Sequence, residues 1–556
     1  MQASERTVFV RRALVTALAA LLSMATWNHV NPIDDPDGAQ YMASALSLFS
    51  GHGLRSVTGG VQLLFPPGYS FVLGIGWKLG LDPVLSGRLV SLLASVLCVV
   101  PLMTLSGRLF GRWTEWAAGL MYAVLPLRIE MSHWVMSESL YVLLLLCALC
   151  EWSRPSGLAR ARTVLTTGVL LSLAYLVRPE GLIAVVVLLA LSATLTWRNR
   201  RVSWKQLALT ALAFALCAAP YVAFVHEHTG RWTASSKTKY NLELAIGRSA
   251  RVPWDQLATL SADDTRIDRS LFQETRGQFV RRYAHNVVQE LGALDETLGV
   301  GLIAFALLGL ILGVTLRGRP MLDALPFVGV LLAPLGYLPI FYTESRYTYQ
   351  AALGGVILGA WAATEVARRL SRPAVAPWAA SLLVLVLAVP SLSGVIWRVR
   401  QAERSDATRA MGAWVAAHTE PGARLLTSVQ QLAFFAEHPC DPVPYASLAR
   451  VLRFARAKTA RYLVITNLDS FAPELVHLTN DHDASSELQF VGSYVGRPGD
   501  FALLYRIVGG REASNGVVAR ASPADAAATR RGAAAALTAE SSRRSSGSCA
   551  SGGCGG

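Results

Sequence analysis

Charge is scarce in this chain. Asp, Glu, Lys and Arg make up 16% of its 556 residues, hydrophobic residues reach 53%, and the mean hydropathy is +0.38. Soluble globular domains carry about one-quarter charged residues, so this balance excludes that class and points to a polytopic membrane protein. A basic face interleaved with aromatic residues is also missing. The +14 net charge falls in short clusters between apolar runs. This excludes nucleic acid as a partner and reads as charge that sets membrane topology. The seven cysteines form no disulfide framework. Cys98, Cys147, Cys150 and Cys217 lie in apolar runs, Cys440 is alone, and Cys549 and Cys554 sit in a low-complexity tail. Cys147 and Cys150 have CxxC spacing, but no histidine or second pair accompanies them. The chain also lacks an H-E-x-x-H helix, a phosphate-binding P-loop and a nucleophile elbow, which removes the hydrolases and nucleotidases those motifs define.

Long apolar runs are what the sequence has in abundance. They recur at roughly 13–28, 84–107, 114–127, 136–152, 162–177, 180–197, 205–225, 291–316, 321–341, 348–367 and 374–397, about eleven spans. Gly68 to Leu81 is apolar but broken, and reads as a re-entrant or interfacial piece. Arg6, Arg11 and Arg12 precede the first run without a convincing cleavage site, so an uncleaved first helix is expected. With the N-terminus cytoplasmic, the basic clusters at 108–112, 154–162, 198–205, 317–319 and 368–372 all fall on one side, as the positive-inside rule requires.

The expected fold is therefore an all-α polytopic membrane protein of about eleven transmembrane helices over residues 1–399, with outward loops at 28–83 and 226–290. Ala407 to His418 has helical spacing. Ala423 to Ser428, Tyr462 to Thr466 and Phe501 to Ile507 read as strands, so 400–510 forms a small C-terminal α/β domain on the extracytoplasmic side. Residues 511–556 are Ala, Ser, Gly and Arg with almost no large apolar side chain, and are expected to be disordered.

The outward pieces hold the chemistry. Asp34, Asp35 and Asp37 follow the first run directly, and carboxylates at a bilayer edge need water, partners or chemistry to hold them. Glu138, Arg178, Glu180, Glu344 and Arg346 map to the same side. Arg178 and Arg346 oppose the positive-inside rule. Beside Tyr175 and Tyr347, each suits a phosphate at headgroup level or closes a helix end by pairing with Glu180 or Glu344. Asp35-Pro36-Asp37 has three readings. It can hold a divalent cation through two oxygens, supply a general base, or cap a helix, with Asp37 capping one that starts near Ala39. Phe65-Pro66-Pro67-Gly68-Tyr69 is a rigid aromatic turn that shapes a pocket or stops a helix.

The order of these features resembles the glycosyltransferase C superfamily, in its branch of protein O-mannosyltransferases and the lipid A aminoarabinose transferase. The segments that carry the likeness are Asp37-Gly38-Ala39-Gln40-Tyr41, Phe65-Pro66-Pro67-Gly68-Tyr69-Ser70, Ser137-Glu138-Ser139-Leu140, Arg178-Pro179-Glu180-Gly181-Leu182 and Ser345-Arg346-Tyr347, within residues 10–400. The chain departs from the pattern at Gly38, where the family often has Glu, and at Phe65, where a basic residue often stands. The resemblance implies transfer of a sugar from a polyprenyl-phosphate donor to a protein, lipid or glycan acceptor, by single displacement with inversion. The enzyme would sit in a bacterial inner membrane with its active site facing the periplasm or exterior. It further implies Asp37 as base with Asp35 as alternate, Arg346, Arg178 and Tyr347 at the donor phosphate, and Asp34, Tyr41, Pro67, Tyr69 and Glu138 around the acceptor or pocket. No particular cofactor is implied, and a divalent cation held by Asp35 and Asp37 stays open. A transporter or flippase of lipid-linked sugars is the other functional class.

Overall fold

The computed structural model describes residues 3–508, apart from positions 30, 34, 155–160, 200–202, 250–272, 316–319, most of 371–406, 469–472, 480, 482–484 and 497–498. Residues 3–370 are helical in the main. Local sequence fixes several helix starts. Asp35 caps the Pro36–Phe49 helix and Asp82 caps Pro83–Leu97, each followed by a proline at the first helical position, where the missing N–H costs nothing. Ser203 with Gln206, and Thr275 with Gln278, form capping boxes at the starts of Trp204–Thr229 and Arg276–Leu298.

By length and composition, three helical stretches are long and apolar enough to cross a membrane: Arg6–Thr26, Pro83–Phe110 and Trp204–Thr229. Two bent pairs raise the number to five, Arg276–Leu298 with Val300–Gly313 at 107° and Asp323–Leu332 with Pro334–Ile340 at 49°. The count of eleven is thus not reached among the described residues. Several apolar runs form shorter helices, such as Glu138–Trp152 and Ala161–Val177. The 374–397 run and the 511–556 tail lie outside the described residues. The 107° bend falls at Gly299, whose φ of +76° suits a residue without a Cβ. Small residues let helices approach closely. A Cβ at Gly168 would stand 2.5 Å from Thr210 O, and one at Gly309 2.5 Å from Leu358 O.

Buried Arg128 ties the first helix to the bundle, donating to Ala19 O (3.0 Å), Ser23 Oγ (2.7 Å) and Ala123 O (2.6 Å). The Gly68–Lys78 helix buries Tyr69 and Leu73 against the bundle and leaves Phe71 and Ile75 exposed, so the broken apolar piece is a short helix with one face on the core.

Residues 407–508 carry a five-stranded sheet of order β2-β1-β3-β5-β4, with β1 Leu425–Leu426, β2 Cys440–Asp441, β3 Tyr462–Thr466, β4 Leu488–Val495 and β5 Phe501–Ile507. β1 runs parallel to β2 and β3, and β5 antiparallel to β3 and β4. The β3 residues are buried throughout because helices cover both faces. Leu463 and Ile465 join Val451 and Leu475 on one face, while Val464 joins Met411 and Leu432 on the other. Val57, from the 28–83 segment, packs in that second layer and docks the sheet domain onto the helical region. The expected strand at 423–428 shrinks to two residues, and β4 was not anticipated because its alternation is mostly half-buried.

Candidate active site

Asp35 holds the centre of the site by its position as a helix cap. Its Oδ1 accepts from the Asp37 amide at 2.8 Å, and its Oδ2 lies 2.8 Å from Arg346 Nη1. The cap therefore belongs to Asp35 rather than to Asp37, because Pro36 starts the helix one turn earlier than Ala39. Asp37, in the first turn, is left with longer contacts. Its Oδ2 stands 3.7 Å from Arg346 Nη1 and 3.8 Å from Lys237 Nζ, both beyond hydrogen-bond length. Asp34 lies outside the described residues.

Arg346 sits on a short 3-10 turn, Ser345–Thr348. Its Nε donates to Glu344 Oε2 at 2.9 Å and its Nη2 to the Tyr347 hydroxyl at 3.1 Å. Neighbouring structure holds this turn and the 339–341 segment before it. Buried Arg282 pairs with Glu274 through two bonds of 2.8 Å and donates to Ile340 O. Asn286 donates to Pro339 O (3.0 Å) and Phe341 O (2.7 Å), and the Thr297 and Thr348 hydroxyls meet at 3.0 Å.

Burial raises the Asp35 carboxyl to about 7, with the nearby Asp37 carboxylate adding to the rise and Arg346 opposing it. Burial alone would weaken the Arg346 charge, but Tyr347, Asp37, Asp35 and Glu344 outweigh it and keep the guanidinium protonated.

Two cavities meet at this cluster. The larger, about 630 Å³, lies between the helical region and the sheet domain. Asp35, Asp37, Arg346, Lys237 and Phe65 line its base, with Tyr240 and Asn241 beside them and Thr408, Ser428 and Gln430 on the sheet-domain wall. The smaller, about 260 Å³, is lined by Leu127, Glu130, Met131, Trp134, Glu296 and Ser345 among others. Asp35, Glu344 and Arg346 line both. A row of amides seals the seam between domains. Gln40 Nε2 donates to Gln430 Oε1 (2.8 Å), Gln62 Nε2 to Gln40 Oε1 (3.0 Å), and Gln431 Nε2 to Ile33 O (3.2 Å).

The other expected site residues fall elsewhere. Arg178 is buried, 2.6 Å from Glu138 Oε1 and 3.0 Å from Glu180 Oε1, with Ser137 Oγ accepting at 3.2 Å. Arg178 and Glu138 thus form a buried pair; they border a small pocket of about 20 Å³ that Arg346 and Tyr347 also line, and they line neither of the two larger cavities. Tyr41 and Tyr69 are core residues in edge contact at 4.9 Å. The Tyr41 hydroxyl meets Ser137 Oγ (2.8 Å), and Tyr69 donates to Gly87 O (3.0 Å). Pro67 precedes the Gly68–Lys78 helix, and the pocket role of this turn passes to Phe65. No group of three or more His, Cys, Asp or Glu that could hold a metal ion occurs among the described residues. Both Asp35 and Asp37 face cations instead.

Lys237, Gln430 and Arg282 had no motif to announce them. Lys237 stands in a long polar segment, Gln430 in a domain far along the chain, and Arg282 on an amphipathic helix where one more arginine is unremarked.

The model of the dolichyl-phosphate-mannose-protein mannosyltransferase family matches residues 65–224. No protein of curated function matches the chain in sequence. Among solved structures, the chain is similar to ArnT from Cupriavidus metallidurans bound to undecaprenyl phosphate, with TM-score 0.58 and 15% identity over 90% of this chain and 98% of that one. It is also similar to the oligosaccharyltransferase of Archaeoglobus fulgidus in the apo form, with TM-score 0.56 and 12% identity over 87% and 73%. The same organism's AglB, in complex with an inhibitory peptide and a dolichol-phosphate, gives TM-score 0.54 and 13% identity over 88% and 74%. The chain therefore shares its fold with these solved structures over most of its length.

Proposed function

We propose that the protein is a membrane glycosyltransferase that moves a sugar from a polyprenyl-phosphate donor to an acceptor, with Asp37 as general base. One observation carries the reading: Asp37, a carboxylate with no short partner among the described residues, borders a 630 Å³ cavity while an arginine on the wall shared with a second cavity stands 3.7 Å away. Two cavities meeting at one charged wall suit a reaction of two substrates. The undecaprenyl phosphate in the ArnT structure and the dolichol-phosphate in the AglB structure support the choice of donor class.

In this scheme the acceptor's hydroxyl or amine attacks the anomeric carbon, forming the new glycosidic bond. The bond from that carbon to the phosphate oxygen breaks, and its electron pair leaves with the phosphate. Asp37 takes the proton from the acceptor, and Arg346 stabilises the charge on the departing phosphate. Phosphate is a good leaving group without protonation, so one base suffices, and a single displacement inverts the anomeric centre. Asp35 holds Asp37 and Arg346 in register. The active site is assigned to the extracytoplasmic face of a bacterial inner membrane, on the placement of basic clusters in the sequence. The transporter reading is not favoured, because the solved structures that share the fold include an oligosaccharyltransferase.

Mass spectrometry of polyprenyl-linked lipids from cells with and without the protein tests the reading. Accumulation of one polyprenyl-phosphate sugar in its absence is the expected result, and unchanged lipid pools would sink it.

A further inference from the structure

We propose that Lys237 is a second phosphate-binding cation, closing on the donor phosphate opposite Arg346; this rests on the transferase reading above. Among the described residues lining the 630 Å³ cavity, Lys237 and Arg346 are the cations, against Asp35, Asp37 and Glu344. Arg346 already has Asp35 at 2.8 Å and Glu344 at 2.9 Å, so much of its field is cancelled. An anionic phosphodiester approaching this wall on Arg346 alone would meet a net negative surface.

Lys237 is differently placed. It opens the Lys237–Ser249 helix, and its ammonium stands 4.2 Å over the Phe65 ring and 3.8 Å from Asp37 Oδ2. The aromatic face holds the cation in the cavity without using its N–H donors. The Asp37 contact is too long to be a hydrogen bond, and Glu180 feels the ammonium charge from further away. The side chain is 17% exposed, so its charge acts in a partly desolvated setting. Asp37 Oδ2 thus has a cation at nearly equal distance on each side, 3.7 and 3.8 Å. A phosphate bridging Arg346 and Lys237 would bring its sugar to this carboxylate.

The test uses the full-length protein in nanodiscs, titrated with undecaprenyl phosphate, with undecaprenol, and with inorganic phosphate. Wild type is expected to prefer the phosphorylated lipid over the alcohol. Lys237→Met should lose about tenfold of that preference, the scale of one charge-assisted bond, with alcohol binding unchanged. Lys237→Arg should recover most of it. Matching thermal melts establish folding, and Lys237→Gln serves if the methionine variant melts early. Full preference in both Lys237→Met and Lys237→Gln overturns the Lys237 assignment and leaves the transferase reading intact. A wild type without any preference overturns both. Loss of inorganic phosphate binding alone, with lipid binding unaltered, assigns the site to free phosphate and overturns the donor role.

Discussion

The side chain of Asp35 accepts the backbone amide of Asp37 at 2.8 Å, so one carboxylate fixes where the other stands. The two acids divide the work by position. Asp35 uses one oxygen on the helix end and the other on Arg346, whereas Asp37 borders the cavity with no short bond among the described residues. Substitutions at the two should therefore have different signatures.

Asp37→Asn keeps the shape and removes the base. Sugar transfer is expected to fall by about 10²–10⁴-fold, the usual contribution of a positioned base. Cells carrying the variant should accumulate the same lipid-linked sugar as cells without the protein, at normal membrane levels of the chain. Transfer at the wild-type rate would remove Asp37 from the mechanism.

Asp35→Asn retains a capping oxygen but cannot titrate. The Asp35 carboxyl is raised to about 7 from an ordinary 3.8, so the folded state holds its proton across that interval while the unfolded chain releases it. Its contribution to stability is complete below pH 4 and is lost as pH rises through 7. Thermal melts between pH 5 and 8 should show wild type losing stability with rising pH, and the variant showing less of that slope. Equal slopes would mean that Asp35 does not titrate there. Asp35→Ala removes the cap as well, at a further cost of about 1 kcal/mol.

Arg178→Met tests whether this arginine binds phosphate or only neutralises its neighbours. It leaves the buried Glu138 and Glu180 without their cation, a change that costs about 3–5 kcal/mol. The expected outcome is a marked fall in melting temperature, partly restored by adding Glu138→Gln. A well-folded Arg178→Met protein with weakened donor binding would return Arg178 to the phosphate site.

Arg282→Met acts at one remove from the chemistry. Arg282 pairs with Glu274 and donates to Ile340 O, and so braces the Leu338–Ile340 segment that leads into the Arg346 turn. Besides a stability loss of about 3–5 kcal/mol, the donor KM should rise more than kcat falls, since the phosphate cation is loosened and the base is not. A fall in kcat alone would contradict this role.

Much of the site was legible from sequence because its parts were anomalies. Three acids after an apolar run and an arginine on the wrong side of a membrane both demanded a reason, and Asp35, Asp37 and Arg346 do meet. Arg178 carried the same anomaly but is satisfied by Glu138, forty residues away, a partner that topology alone could not choose over Glu180. Tyr41 and Tyr69 were misplaced because a tyrosine beside a motif looks the same whether its ring faces a pocket or a core. Helix patterning located most apolar runs, and β3 and β5 were found at their observed limits. The span count was less accessible, since a helix bent at Gly299 or ended after fifteen residues still reads as one apolar run. Lys237 and Gln430 reach the cavity only through long-range packing, which leaves no local pattern.

The glutamine seam has a consequence for engineering. Gln40 belongs to the same helix that Asp35 caps, and it is bonded to Gln430 of the sheet domain and to Gln62. Exchanging that domain for one from a relative, in the hope of redirecting the acceptor, would cut bonds to the helix that carries Asp37. A working chimera has to carry its own matching surface at positions 33, 40 and 62. The cavity wall at Gln430 and the helix that carries Asp37 are inherited as one piece.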